Sequence, residues 1–133
     1  MCLLVLAWNS HPRYRLIVAA NRDEFHDRPT APLGWWPDDS RILAGRDLRG
    51  SGTWLGAARS GRFGVITNFR EFERPATDAP SRGDLVRRFL SEAISPQEYF
   101  DDLRDRAPSY AGFNLLLGGP RSLYYYSDRD GLE

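Results

Sequence analysis

Hydrophobic residues fall in short blocks along this chain, and each block closes on Gly, Pro, Asn or a cluster of charge. Residues 2–8 (CLLVLAW) make a nearly continuous apolar run, which predicts a short strand buried on both faces. His11-Pro12-Arg13-Tyr14 breaks the run as a turn, and residues 15–21 (RLIVAAN) return as a second apolar strand. The two predict an antiparallel hairpin. Residues 25–40 read as loop, punctuated by Pro29, Pro32, Gly34 and Pro37, with a short strand following at 41–44. Strands at 53–58 and 62–68 flank Ser60-Gly61, a two-residue turn signal.

The period then changes. After a polar, Pro-containing linker at 73–82, Leu85, Val86, Phe89, Leu90 and Ala93 share one helical face, opposite Arg87, Arg88, Ser91 and Glu92. Ser95-Pro96-Gln97-Glu98 marks a second helix start: a capping hydroxyl, a proline suited to the first turn, and a glutamate that closes the box. That helix should reach about Arg106 and stop before Pro108. Strands at 112–118 and 122–127 complete the order. Strands in hairpins with an inserted helix pair predict an α+β fold: one domain over 1–133, with a largely antiparallel sheet and both helices on one face.

Composition narrows the function. The formal net charge is zero, so no basic field draws in nucleic acid or an anionic membrane. All 18 basic residues are arginine, which removes lysine Schiff-base and phosphate-loop chemistry. No apolar run approaches the roughly 20 residues of a membrane span. The opening MCLLVLAW lacks the basic start of a signal peptide, so a cytoplasmic location is expected. A single cysteine excludes an intrachain disulfide, and with only His11 and His26 beside it no metal site is expected.

Two features carry candidate chemistry. The second strand ends in Asn21-Arg22-Asp23-Glu24, ionisable groups that resist burial without partners. Cys2 follows the initiator methionine directly; once that methionine is removed, one residue bears both a thiol and a free α-amine able to act as its base. The plainer reading of Cys2 is a small core hydrophobe, and that of the tetrad a solvated strand end. The predicted hairpin brings the two together, where an acid can hold the amine and an arginine can favour a thiolate or clamp a substrate carboxylate. Trp35 and Trp36 suggest either the lip of a ligand site or, more plainly, packing that anchors the loop, while Gly50, Gly52, Trp54 and Gly56 suggest close strand approach.

The ordered motifs MC, AANRDEF followed by RP, GTWLG, TN closing a strand, RGDLV and GFNLLL together resemble the NRDE family, also called the transport and Golgi organization protein 2 family. The resemblance runs from residue 1 to about residue 126. It implies the N-terminal part of an αββα sandwich like that of the N-terminal nucleophile hydrolases, among which penicillin acylases, bile-salt hydrolases and acid ceramidases also begin Met-Cys. By that likeness Cys2 would be the nucleophile of a Cys-dependent amidase, Asp23 would hold its amine, Arg22 would flank the thiol and Asn68 would serve the oxyanion. The Arg–Asp spacing differs from that of the hydrolases, being adjacent here. Asn21, Glu24, Trp35, Trp36 and Trp54 would line the ligand site, for a small-molecule substrate or a hydrophobic ligand. No resident cofactor is implied. The alternative is a non-enzymatic carrier of haem or an acyl ligand, with His26 as an iron ligand. Family members are longer, so half a sandwich should leave an apolar sheet face open to a homodimer partner.

Overall fold

A computed structural model describes residues 2–69 and 79–128 and the backbone of 131–132; the linker predicted at 73–82 therefore lies outside it up to residue 78. Strands β1 (Leu3–Trp8) and β2 (Leu16–Asn21) form an antiparallel two-stranded ribbon, as the hairpin signal predicted. Strands β3 (Thr30–Trp35), β4 (Ile42–Asp47), β5 (Leu55–Ala58), β6 (Phe63–Asn68), β7 (Phe113–Gly118), β8 (Leu123–Ser127) and β9 (Gly131–Leu132) build a seven-stranded sheet in chain order. Every neighbouring pair is antiparallel. Helices α1 (Gly83–Ser91) and α2 (Pro96–Arg106) are inserted between β6 and β7. Both lie on one face, so the fold is α+β.

Alternation decides which side chains meet the helices. Phe113, Leu115 and Leu117 on β7, with Ile66 on β6 and Tyr126 on β8, join Leu85, Val86, Phe89 and Leu90 of α1 and Tyr99, Phe100 and Leu103 of α2 in one core. The Tyr99 hydroxyl donates to the Leu85 carbonyl at 2.7 Å and ties the two helices together. At the start of α2 the box closes as predicted: Ser95 Oγ accepts from Glu98 N–H at 3.2 Å, and Glu98 Oε2 accepts from Ser95 N–H at 2.8 Å. Burial pushes the Tyr99 phenol above its ordinary 10.0, with Arg106 and Arg88 pulling the other way. Below that value the phenol is protonated in folded and unfolded chains alike. Above it the unfolded chain ionises first, so stability should fall with rising pH, by up to about 1.4 kcal/mol per unit. Denaturant midpoints measured at about pH 8 and about pH 11 should show the loss, and Tyr99→Phe should flatten it.

Four local predictions are corrected. The 25–40 segment is not all loop: β3 is an edge strand, where Pro32 has no ladder partner to deprive, and a bulge between Ala31 and Gly34 absorbs the irregularity. Helix α1 runs two residues earlier than its apolar face suggested and leaves Ala93 outside. The Ser91 hydroxyl donates to the Arg87 and Arg88 carbonyls, and Glu92 turns extended. The β5–β6 turn has three residues rather than two. Ala58 N–H donates to the Arg62 carbonyl and Gly61 N–H to the Ala58 carbonyl, with Gly61 at φ +82° in the left-handed region. Finally, β1 is buried on one face only. Val65 beneath the ribbon is fully buried, whereas Leu3 and Val5 on its outer side are 63% and 57% exposed.

One glycine fixes the wall of the future site. Thr53 N–H donates to the Gly83 carbonyl at 3.1 Å, and a Cβ on Gly52 would lie 2.4 Å from the Gly83 carbonyl carbon. The 50–54 segment thus meets the start of α1 backbone to backbone, and any side chain at residue 52 forces them apart.

Candidate functional site

The ribbon register pairs Leu3 with Asn21, so one further step sets Cys2 beside Arg22 and Asp23. Leu3 N–H donates to Asn21 Oδ1 at 2.8 Å, which pins the ribbon end. Asp23 N–H then donates to Cys2 Sγ at 3.4 Å. The sulfur is held at the polar tetrad. It lines the site instead of being lost among core side chains.

A cavity of about 610 Å³ opens at this point, between the ribbon end, the C-terminal end of β4 and the entry to α1. Cys2, Arg22, Asp23, Glu24, Trp54 and Asn68 all line it. Asn68 reaches it as the last residue of β6, and among the described residues its side-chain amide makes no hydrogen bond. Trp54 forms part of the wall beside Thr53, and its carbonyl accepts from Ile66 N–H at 2.8 Å.

Asn21, His26, Trp35 and Trp36 lie outside the cavity. Trp36 is only 4% exposed: its Nε1–H donates to the Ala44 carbonyl at 3.2 Å and the Arg46 guanidinium sits 4.3 Å from its ring centre. It is a core residue because the edge strand needs an apolar anchor. Trp35 points the other way, 45% exposed and stacked under Arg59 at 3.8 Å, outside the cavity. Asn21 braces the ribbon and does not line the cavity. His26 is exposed and likewise outside it.

The charges at the site are mostly matched. Arg22 Nη2 pairs with Glu24 Oε2 at 3.2 Å, and Arg28 with Asp47 at 2.5 Å. For Asp47, burial opposes ionisation, but Arg28 and the backbone N–H groups of Gly50 and Arg49 outweigh it and hold the carboxyl below its usual range. Arg46 is drawn outward to Asp38 at 2.7 Å. Arg82, from the entry to α1, donates to the Gly112 carbonyl at 2.8 Å. Burial holds its guanidinium below the usual arginine range, while Glu24 favours the charged form and Arg28 opposes it. Asp128 and the Cys2 sulfur also favour the charged form. Arg28, Asp47 and Arg82 were not singled out in the sequence, although Arg28-Pro29 and RGDLV both fall inside the motifs that carry the family resemblance.

Cys2 also lines a second, more apolar pocket of about 360 Å³, between β1 and the outer face of the sheet. Leu4 and Leu6 form one wall, Val65 and Leu116 the other, with Thr67, Asn114 and Tyr125 at the edges. Among the described residues no group of three or more His, Cys, Asp or Glu side chains is placed to hold a metal ion. No described helix is long and apolar enough to cross a membrane.

The family model for Transport and Golgi organisation 2 matches residues 1–132. Among curated proteins the chain is similar to the Transport and Golgi organization 2 homolog of Mus musculus, 37% identical over 123 residues, covering 87% of this chain and 44% of that protein. The Bos taurus homolog is 34% identical over 145 residues, covering 100% of this chain and 52% of its own. The Drosophila melanogaster protein of the same name is 31% identical over 128 residues, covering 87% and 45%. The chain spans about half the length of the curated relatives it matches.

Proposed function

The chain belongs to the Transport and Golgi organisation 2 family, and from that premise we propose that it is an N-terminal nucleophile amidase, with a fold of that type and Cys2 as the attacking residue. The observation that carries the reading is the Asp23 N–H to Cys2 Sγ contact at 3.4 Å, at the edge of a cavity that also takes in Asn68.

Removal of Met1, which lies outside the described residues, would free the α-amine of Cys2. An α-amine titrates near about 8, so a useful fraction is neutral at pH 7 and can take the thiol proton. The sulfur attacks the amide carbonyl carbon and a C–S bond forms. The Asn68 amide donates to the oxygen as it gains charge. The C–N bond then breaks, and the leaving amine takes the proton held by the α-ammonium. Water attacks the thioester, the C–S bond breaks, and the acid leaves with the thiol restored. Asp23 holds the amine in place throughout, and the Arg22–Glu24 pair fixes the tetrad around it.

The test is covalent. In protein from which Met1 has been removed, a thiol-reactive amide analogue should add once, at residue 2, by intact mass and peptide mapping. A protein that keeps Met1 in cells, or a label found anywhere but residue 2, sinks the proposal. The haem-carrier alternative draws on His26, Trp35, Trp36 and the arginines of the strand end; of these, Arg22 and Arg28 line the cavity and the other three line neither pocket.

A further inference from the structure

Cys2 lines two cavities, one ringed by charged side chains and the other more apolar. One side is the arginine-lined space of about 610 Å³, and the other the apolar pocket of about 360 Å³ walled by Leu4, Leu6, Val65 and Leu116. A ligand with its scissile bond at the sulfur can place one end in each. The apolar end gains by leaving water, by about 0.8 kcal/mol per buried methylene. The polar end meets a set of cations that is only partly neutralised. Arg22 is taken by Glu24, Arg28 by Asp47 and Arg46 by Asp38, while Arg49 lines the cavity as an exposed, well-hydrated side chain.

Arg82 differs from these. Its side chain is half-buried and lines the cavity, and one N–H donates to the Gly112 carbonyl. Among the described residues no carboxylate is within ion-pair distance of it, and Glu24 and Asp128 act on it only from farther off. A guanidinium carries five N–H donors in a planar fork, so most of its donors are left for a ligand. A partly desolvated cation with free donors, in a cavity beside a nucleophile, matches a planar anion best. The Gly112 bond holds the fork still, which spares a ligand the entropy of ordering a long side chain.

We propose that the substrate is an amphiphilic amide, apolar on one side of its scissile bond and bearing a carboxylate on the other, the simplest such class being N-acyl amino acids, with the carboxylate received by Arg82. This rests on the amidase reading for the reaction, but the binding geometry does not depend on turnover. Acyl transfer to Cys2 would proceed by the balanced steps given above, with water as co-reactant.

The experiment separates the two. Binding of N-octanoylglycine and of its uncharged counterpart N-octanoylglycinamide to the Cys2→Ala chain is measured by calorimetry. The acid should bind at least about tenfold tighter than the amide. Arg82→Gln should erase that preference while binding of the neutral amide changes little, and Arg82→Lys should keep part of it. Thermal melts of each variant show whether the fold survives; if Arg82→Gln does not fold, Arg82→Lys and the acid-to-amide ratio of the parent decide. Equal binding of acid and amide overturns the proposal, as does binding of neither, or a preference that persists in Arg82→Gln. Selective binding without hydrolysis by the Met1-processed chain would leave this subsite intact and count against the amidase reading alone.

Discussion

Replacing Cys2 with alanine is expected to lower turnover of an acyl amide by about 10⁴- to 10⁶-fold, because the variant keeps the cavity and Asn68 but has no atom to form the acyl-enzyme. In free energy this is about 5–8 kcal/mol of transition-state stabilisation. The fold should be spared. Cys2 precedes β1 and contributes no ladder hydrogen bond through its side chain, so the change should cost less than about 1 kcal/mol of stability. Initial rates on Met1-processed protein, beside urea unfolding of the same samples, make the comparison. A variant that retains a tenth or more of the parent rate would exclude the thiol as nucleophile. Cys2→Ser should fall between the two, since a hydroxyl attacks less readily than a thiol of the same reach.

The largest loss of stability is expected from Phe89→Ala. Phe89 is fully buried where α1 meets both the sheet and α2. Its ring lies edge-on to Tyr99 at 5.4 Å, and the Arg62 guanidinium sits 4.2 Å from its centre. Truncation removes the transfer free energy of the ring, opens a cavity that α1 cannot close while Tyr99 Oη is tied to Leu85, and strips Arg62 of its cation–π partner. The expected cost is about 3–5 kcal/mol, a large part of a small domain's typical total of about 5–15. Urea titration should show the midpoint fall with little change in slope. A cost under about 1 kcal/mol would mean that the helix layer repacks freely, and the core described here would be wrong.

Local chemistry was readable from the chain. Ser95-Pro96-Gln97-Glu98 announces its helix because the cap, the proline and the glutamate act within one turn. The ribbon that joins Cys2 to Asp23 was readable too, because two apolar runs flank one turn and the register follows by counting. Residues whose role depends on distant partners were not. Trp36 read as either the lip of a ligand site or a packed loop anchor, and what decides for packing, the β4 carbonyl it donates to, is eight residues away. Strand β3 was hidden by Pro32, which is harmless only at an edge, and edge position is a property of the whole sheet. Arg82 looked like any solvated arginine. Its significance comes from the close packing of 50–54 against the start of α1, a contact made possible by Gly52.

Strands β1 and β2 pair with each other and with no other described strand. The sulfur and the acid that would attend it therefore sit on one leaf, while Asn68 and Arg82 sit on the other. Sliding of the leaf would carry the thiol and its amine away together, still matched, and would part them from the groups proposed to receive the oxyanion and the carboxylate. A molecule spanning that seam would act as a rivet, and the proposed site would be fully assembled only when such a ligand holds it shut.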